Sequence, residues 1–569
     1  EVINDLELKK QGFDIDSEEY KKLLEQITTL KMDTKIFNEA KKVYEKEYPY
    51  KIDGLVFTPR NLKVGEEPNK TKKNMFDGRW YNCFKWKPPE ENTIDFLVKF
   101  KKDPENESKD LITYKTINDK VVEFKTLILH VGYNPSIHTK HNSCRILNEN
   151  LTFENSYSPV IFQPTKPYIK DIHYAYLPVV NGLVYTNDNT IIIEDNIVEF
   201  NYVKDNIVCW NPLRVRDTLK PNDFVTAINV WDSIHNPVTL KMITTGNIQS
   251  KMDLYYFINK NRNERKSKPL NDFHSFVKKD LILNNLKGDN NVLDLGVGKG
   301  GDLNHYIEGN VNVLVGVDNI YDNLNNSENG LCNRIFTRSV DNANLNILSN
   351  SLMIWGDCEK NIINADAGND ELNKYYLDII YGNLSLDNIN NPKLRQFYNL
   401  GNIEEGFGFD LVSIQFAFHY FCKDINTLEN CLNNISKSLK PNGRFIGTCL
   451  DGKKLFEKLS TNNIVESADL WKIEKKYENT TFPNDEKSLG YVVDIFNESI
   501  GISIEEYLVN FDYIIKKASE YNLELLEMNS FSTLFDKLSQ IKDYGSMKKM
   551  TPELKEYSFL NNSFVFQKK

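Results

Sequence analysis

The run VLDLGVGKGGDL at 292–303 constrains this chain more than any other stretch. Apolar residues carry a strand to an acid, Asp294, and glycines follow at 296, 298, 300 and 301. Such glycines let backbone approach a ligand with no Cβ in the way, and the helix that follows presents free N–H groups. A glycine-rich turn alone is shared with dinucleotide-binding folds. Here Lys299 and the Gly-Gly-Asp after it depart from the plain G-x-G-x-x-G spacing. A second apolar strand ends in Asp318, placed to accept both ribose hydroxyls of an adenosyl group. A third, LMIWGD at 352–357, ends in Asp357, placed for the adenine edge. Three acids at successive strand ends favour an adenosyl ligand whose ribose carries no phosphate. Strand-end aspartates also cap loops, and that alternative fits Asp318 or Asp357 singly better than it fits the ordered set.

Around this run the chain alternates strands and helices. NVLDLGV (291–297), VNVLVGVD (311–318) and FDLVSIQFA (409–417) are apolar strands, and 422–439 is helix-like. That alternation predicts a doubly wound α/β sheet. The front of the chain differs. After a helix-like stretch from Asp16 to Glu47, strands are expected at Ile52–Phe57, within WYNCFKWKP (80–88) and at TIDFLVKF (93–100). From about residue 100 to 240, short runs such as VVEFKTLILHV, NGLVYT, NTIIIE and NIVEFNYV are separated by Asn, Asp and Gly turns, which predicts an antiparallel β domain of barrel type. A basic stretch, NKNRNERKSK (259–268), is expected to be a solvated connector. At 569 residues the chain exceeds one core, and several domains are expected.

A net charge of −10 gives no global basic field, which argues against a non-specific nucleic-acid coat but not against an enzyme with a local basic groove. The eight cysteines include no CxxC pair, so neither a zinc site nor a disulfide framework is expected, and the pattern suits a reducing compartment. No apolar run reaches membrane-spanning length and no signal peptide opens the chain, so no membrane partner is expected.

The segment LDLGVGKGGDL resembles the S-adenosylmethionine loop of mRNA cap guanine-N7 methyltransferases, and its neighbours follow that family's order. NDFHSFVKKDLI (271–282) is similar to the family's leading segment, which implies that Lys278 meets the cofactor carboxylate. The resemblance implies a cofactor set of Lys278, Asp294, Gly296, Gly298, Lys299, Asp318, Asp357 and Gln415. SIQFAFHYFC (413–422) resembles the Gln-Phe-Ala-x-His-Tyr strand, which implies that His419 and Tyr420 line a guanine pocket. SIEEYLVNF (503–511) resembles the segment whose glutamate reads the guanine edge, here Glu506. KEYSFLNNSFVFQKK (555–569) resembles the closing strand, with Tyr557 as a pocket residue. Cys358 stands where a serine is common, which puts one secondary adenine contact in doubt. The chemistry of the residues agrees. Guanine N1 and N2 are donors that a buried carboxylate can accept, and methylated guanine is a cation that aromatic faces favour. Guanine N7 has no proton to lose, so no acid or base residue is expected. Taken singly, His419 suits a core histidine, the Phe-rich run suits core, and Glu505 and Glu506 suit a helix cap.

The front half resembles the C-terminal motifs of the guanylyltransferase in fused viral or cytoplasmic-plasmid capping enzymes. KIDGLVFTP (51–59) contains a KxDG, but its continuation is similar to a later motif in which Asp53 helps bind a metal, Mg2+ or Mn2+. The alternative keeps Lys51 as nucleophile. KWKPPEENTIDF (85–96) resembles the next motif, implying that Lys85 and Lys87 hold the phosphates of GTP. WNPLRVRDTLKPND (210–223) resembles the last motif, implying that Arg214 and Arg216, with Asp217 more loosely, grip pyrophosphate. Cations at alternate strand positions share one face, as phosphate requires. The first motif of that family belongs well upstream of Asp53, and with Glu1 in first place the sequence is expected to be part of a longer chain.

The expected architecture is multidomain α/β: residues 1–98 the C-terminal part of a nucleotidyltransferase, 99–245 an OB-type β-barrel, 246–270 a linker, and 271–569 a Rossmann-like class I S-adenosylmethionine-dependent methyltransferase. The expected partners are the capped mRNA 5′ end and GTP, with a small activating subunit left open, in the host cytoplasm or the virion. Two other functions stay open: a methyltransferase for another RNA or protein acceptor, and a non-catalytic cap-binding scaffold.

Overall fold

A computed structural model describes residues 35–50, 52–63, 83–117, 120–151, 156–204, 208–246, 266–287, 290–341, 350–467, 470–498, 503–539, 545 and 547–569. Lys51 and residues 259–265 of the basic stretch lie outside them. The chain packs as two units, one of residues 1–133 and 157–251, the other of residues 134–156 and 252–569.

In the first unit, antiparallel strands form a seven-stranded sheet. Its order runs Trp210–Val215, Ile197–Tyr202, Thr93–Phe100, Lys120–Tyr133, Ile112–Ile117, and Ser158–Ile161 and Tyr174–Pro178 also pair with the long strand Lys120–Tyr133. Period-two alternation explains Thr93–Phe100, where Ile94, Phe96 and Val98 are buried and their neighbours less so. Phe96 meets Trp210 at 5.1 Å in an edge-on contact, and Trp231 of the helix Phe224–His235 closes the same aromatic core. The boundary expected between residues 98 and 99 therefore falls inside a strand, and the residues on either side share one sheet. NGLVYT and NTIIIE contribute isolated bridges rather than strands. A short hairpin-like pair, Leu55–Phe57 with Phe84–Trp86, stands apart as its own two-stranded sheet.

The second unit is built on strands β1 (Asn291–Leu295), β2 (Val313–Asp318), β3 (Ser351–Trp355), β4 (Phe409–Gln415), β5 (Leu439–Leu450), β6 (Leu523–Ser530) and β7 (Asn561–Lys568). Their order is β3-β2-β1-β4-β5-β7-β6. The first five run parallel, while β7 is antiparallel to β5 and β6 antiparallel to β7. The interior parallel strands are buried on both faces, which is why β1 is buried at every position and reads as an unbroken apolar run. Helices such as Lys268–Asn285 and Ile425–Ser438 cover the sheet. The helix Lys268–Asn285 opens three residues before the end of the expected linker. A separate four-stranded antiparallel sheet, Ile464–Ser467, Trp471–Lys475, Val492–Asn497 and Ser503–Tyr507, is inserted between β5 and β6.

The cysteines depart from expectation. Cys144 and Cys332 form a disulfide, both in the second unit and separated by 188 positions. A pair that distant leaves no spacing signature. Cys358, Cys422, Cys431 and Cys449 are free and buried, and burial raises their thiol pKa values.

Candidate functional site

At the C-terminal ends of β1, β2 and β3 the structure gathers the three acids in the expected order. Strand order reverses between β1 and β4, and such a switch point opens a crevice beyond the strand ends. Asp294, only 2% exposed, accepts a hydrogen bond from the Tyr306 hydroxyl at 2.8 Å. Burial, with the charges of Asp302 and Asp318 adding to it, pushes its pKa up to about 7. Gly296, Gly298 and Gly300 all have positive φ, +80°, +57° and +68°. At Gly296 a Cβ would stand 3.1 Å from the Ala417 Cβ, and at Gly300 it would run into Leu331. The turn therefore requires glycine by conformation and by space.

Asp318 ends β2 with its carboxylate already engaged: the Gly298 N–H donates to it at 2.7 Å, the Ile320 N–H at 2.9 Å and the Asn323 amide at 3.0 Å. Burial raises its pKa and these donors oppose the rise. Asp357 lies two residues beyond β3, accepts the Glu359 N–H at 3.1 Å and faces Lys360 at 3.4 Å. Lys278, on the helix Lys268–Asn285, pairs with Asp302 at 2.7 Å, and its Nζ is 3.5 Å from the position of a Cβ on Gly301. It thus overhangs the glycine turn. Lys299 donates to Asn329 at 2.9 Å. Gln415 closes β4, donating to the Ser413 hydroxyl and accepting from the Thr448 hydroxyl, each at 3.0 Å.

Beyond Gln415 the expected strand stops. Phe416 has φ +52°, a strained value for a bulky residue, and residues Phe418–Cys422 form a 3-10 turn. His419 and Tyr420 therefore sit on a turn rather than a strand. The turn brings His419 Nδ1 to 3.4 Å from a Glu506 carboxylate oxygen, and the His419 and Tyr420 rings meet at 4.2 Å. Glu506 belongs to the strand Ser503–Tyr507, not to a helix cap. Burial raises its pKa to about 8 and lowers that of His419 to about 3, so each favours its neutral form near pH 7. His419 Nε2 is buried and has no hydrogen-bond partner among the described residues. Tyr557 lies in the helix Pro552–Ser558, not on the closing strand, and packs on Trp471 at 5.7 Å. Burial raises its pKa, and the nearby Glu506 carboxylate adds to the rise.

The first-unit candidates are arranged differently. Asp53, with 77% of its side chain exposed, pairs with Lys87 at 3.0 Å. Lys85 sits across from Val56 in the two-stranded sheet, one position from Trp86, which faces the other way. Arg214, on the strand Trp210–Val215, and Arg216, just beyond its end, both meet Glu199, at 2.6 and 3.4 Å, and Arg216 also meets Asp95 at 3.4 Å. Asp217 follows that strand. Among the described residues, no group of three His, Cys, Asp or Glu side chains is placed to hold a metal ion.

Residues 247–562 match the mRNA (guanine-N(7))-methyltransferase domain family, more than half of the chain. The chain belongs to that family. Its relatives include a protein named as a probable mRNA-capping enzyme of Acanthamoeba polyphaga mimivirus, 27% identical over 541 residues, covering 87% of this chain and 42% of that one. An mRNA-capping enzyme of African swine fever virus is 26% identical over 515 residues, covering 86% and 50%. An mRNA cap guanine-N(7) methyltransferase 1 of Arabidopsis thaliana is 25% identical over 352 residues, covering 57% and 83%. The chain spans half or less of the length of these viral relatives. Among its described residues, no helix is long and apolar enough to cross a membrane.

Around the candidate site of the second unit stand residues that the motifs do not single out. Tyr306, from the helix Leu303–Glu308, holds Asp294, and Asn323 holds Asp318. The helix start after the glycines hints at the first; nothing in the spacing marks the second. His274, one turn before Lys278, stacks on Phe416 at 5.0 Å and shares a 2.9 Å hydrogen bond with Ser558. Burial lowers its pKa to about 3.

Proposed function

We propose that the second unit transfers the methyl group of S-adenosylmethionine to guanine N7 of an mRNA cap. One observation carries this reading: the turn at 415–422 touches the glycine turn through Ala417 and the guanine-reading candidate Glu506 through His419. Donor site and acceptor pocket are thus adjacent through a single short segment.

The residues suit the cofactor. The glycine turn leaves room where a Cβ would collide, and the buried Asp294 carboxyl stands beside it with the Tyr306 hydroxyl as a partner. Lys278 and the glycine turn would face the amino-acid end, Asp294, Gly296, Gly298 and Lys299 would line the loop, Asp318 would take the ribose hydroxyls, and Asp357 and Gln415 would flank the adenine. When bound, the cofactor supplies a methyl group already activated on a sulfonium. The protein's task is to hold the guanine in line with it and to exclude competitors. Glu506, once ionised, accepts guanine N1–H and N2–H. The neutral His419 presents its unpaired Nε2, and Tyr420 and Tyr557 supply aromatic faces for a base that becomes cationic on methylation. No base is required, because guanine N7 has no proton to lose.

The first unit supports a second, subordinate reading: it is the C-terminal part of a guanylyltransferase, with an OB-type domain formed by its seven-stranded sheet. In that part Lys85, Lys87, Arg214 and Arg216 would hold GTP and pyrophosphate, and Asp53 would hold Mg2+ or Mn2+. The two arginines that meet on Glu199 support it.

The test is direct. The chain is incubated with labelled S-adenosylmethionine and guanosine-capped RNA, and the digest is analysed. Label in 7-methylguanosine that disappears in Asp294→Ala and in Glu506→Ala is expected. Label in another nucleoside or in protein would overturn the acceptor. Cofactor binding without transfer would favour a cap-binding scaffold.

A further inference from the structure

We infer that residues 134–151 are a positioning element for the cofactor site, although in sequence they interrupt the β unit; the inference rests on the cofactor reading above. The chain leaves the strand Lys120–Tyr133, forms the helix Ser143–Glu149 within the second unit, and returns to pair at Ser158–Ile161. The helix is short, yet Ser143, Cys144, Ile146, Leu147 and Asn148 are all buried. Cys144 and Leu147 join the same apolar cluster as Leu303, Leu331 and Met353.

Each anchor lies behind one part of the proposed cofactor site. β3 is an edge strand, and an edge leaves backbone N–H and C=O groups in want of partners. Asn148 supplies both at Met353: its carbonyl oxygen accepts the Met353 N–H at 2.9 Å, and its amide donates to the Met353 carbonyl at 2.6 Å. The side chain replaces the next strand at that residue, four positions before Asp357. Asn325 accepts from the Cys144 N–H at 3.0 Å and donates to the His141 carbonyl at 3.2 Å. It ends the helix Tyr321–Asn325, whose Asn323 holds Asp318. The Cys144–Cys332 disulfide and a 2.9 Å hydrogen bond from Asn333 to the Lys140 carbonyl fasten the helix Leu331–Asp341. That helix packs Leu331 on Gly300 and donates from Arg334 to the Lys299 carbonyl. One segment therefore braces the elements that carry Asp318, Asp357 and the glycine turn.

Its far end is pinned as firmly. The last carbonyls of a helix have no partner within it. Here Lys393 donates to the Leu147 carbonyl, Asn391 donates to the Glu149 carbonyl at 2.8 Å, and Tyr376 donates to the Glu149 carboxylate at 2.8 Å. A cation at this end also opposes the helix dipole.

The test uses the full chain. Asn148→Ala removes both edge-strand hydrogen bonds, and Asn391→Ala removes one anchor at the far end. KM and Kd for S-adenosylmethionine and KM for capped RNA are measured, with melting curves to confirm folding. Losing two buried partners is expected to raise the S-adenosylmethionine KM about tenfold for Asn148→Ala and roughly threefold for Asn391→Ala, with the capped-RNA KM within about twofold of the parent. A purely structural brace would lower the melting temperature and leave the S-adenosylmethionine KM unchanged, and that result overturns the inference. Equal increases in both KM values overturn it too. If Asn148→Ala does not fold, Asn391→Ala decides. Asp294→Ala, run alongside, separates the two claims. Retained cofactor affinity there would sink the cofactor reading itself, whereas lost affinity there with unaffected Asn148→Ala and Asn391→Ala would sink only the positioning role.

Discussion

Asp294 and Asp53 sit in opposite electrostatic settings. Asp294 is enclosed in the second unit, and burial drives its pKa up to about 7. Asp53 lies exposed in the first unit, and the hydrogen bond and charge of Lys87 hold its pKa below the usual carboxylate range. The same contrast separates the two candidate sites as wholes. His419 and Glu506 form a buried pair whose ionised forms are penalised, while Arg214 meets Glu199 with more than half of its own side chain in solvent. A buried group held away from its ordinary protonation state costs stability, and such cost is typical of a site arranged for a ligand. An exposed ion pair costs little and organises little. The second unit is therefore preorganised, whereas the cations of the first are held by carboxylates of the same unit.

The strongest way to break this comparison is Asp294→Ala. Removing a buried carboxylate proposed to stand in the cofactor loop is expected to weaken S-adenosylmethionine binding about a hundredfold, read by equilibrium dialysis with labelled cofactor. A loss of twofold or less would place the cofactor elsewhere.

Glu506→Gln comes next, because it separates function from stability. The capped-RNA KM is expected to rise about tenfold, since an amide accepts at one atom where the carboxylate accepts at two. Stability should move the other way. Glu506 has a folded pKa raised to about 8 from an ordinary 4.5, so its contribution to stability is fully present below 4.5 and lost as pH rises through about 8. Above pH 8 the parent bears a buried charge that the variant lacks, and the variant should melt at a higher temperature. Calorimetry at pH 6 and pH 9 checks the sign.

A smaller effect follows from the same group. Guanine binding calls for the ionised carboxylate, so the capped-RNA KM should fall as pH is raised from 6.5 to about 8 and then level off. Steady-state assays in Glu506→Gln should show no such slope. The smallest expected change comes from the exposed side of the comparison. Lys87→Ala should leave methyl transfer and the melting temperature of the chain unchanged, as an exposed pair contributes little. A clear drop in methyl transfer would show that the first unit's cations serve the second unit's reaction.

Much of the second unit was legible in sequence because its strands are buried on both faces. Val292 to Leu295 and Val313 to Asp318 announce themselves as apolar runs closed by acids, and the strand Thr93–Phe100 of the first unit was placed to the residue by its alternation. The candidate site was legible where residues act through the local chain, as with Asp294 and its glycines. It was hidden where geometry depends on distant contacts. The turn at Phe416 breaks a run that reads as continuous strand, and only packing against Thr448 and His274 accounts for it. The segment 555–569 resembles a closing strand, but Thr551 caps the helix that carries Tyr557 and the strand itself begins only at Asn561. The pairing of Asn148 with Met353 spans 205 positions and joins an expected β-barrel domain to an expected methyltransferase. No local pattern encodes a contact of that kind.

The passage of residues 134–156 into the second unit also bears on how such a protein changes over generations. Both units are discontinuous in sequence, so no single junction in the coding sequence divides it into two intact pieces. An exchange at residue 251 alone would deliver a methyltransferase stripped of one of its own helices, or a β unit trailing a helix with nothing to cover it. Residues 134–156 therefore answer to the second unit for their packing, and substitutions at Asn148, Asn325 and Asn391 should be tolerated better in company than singly.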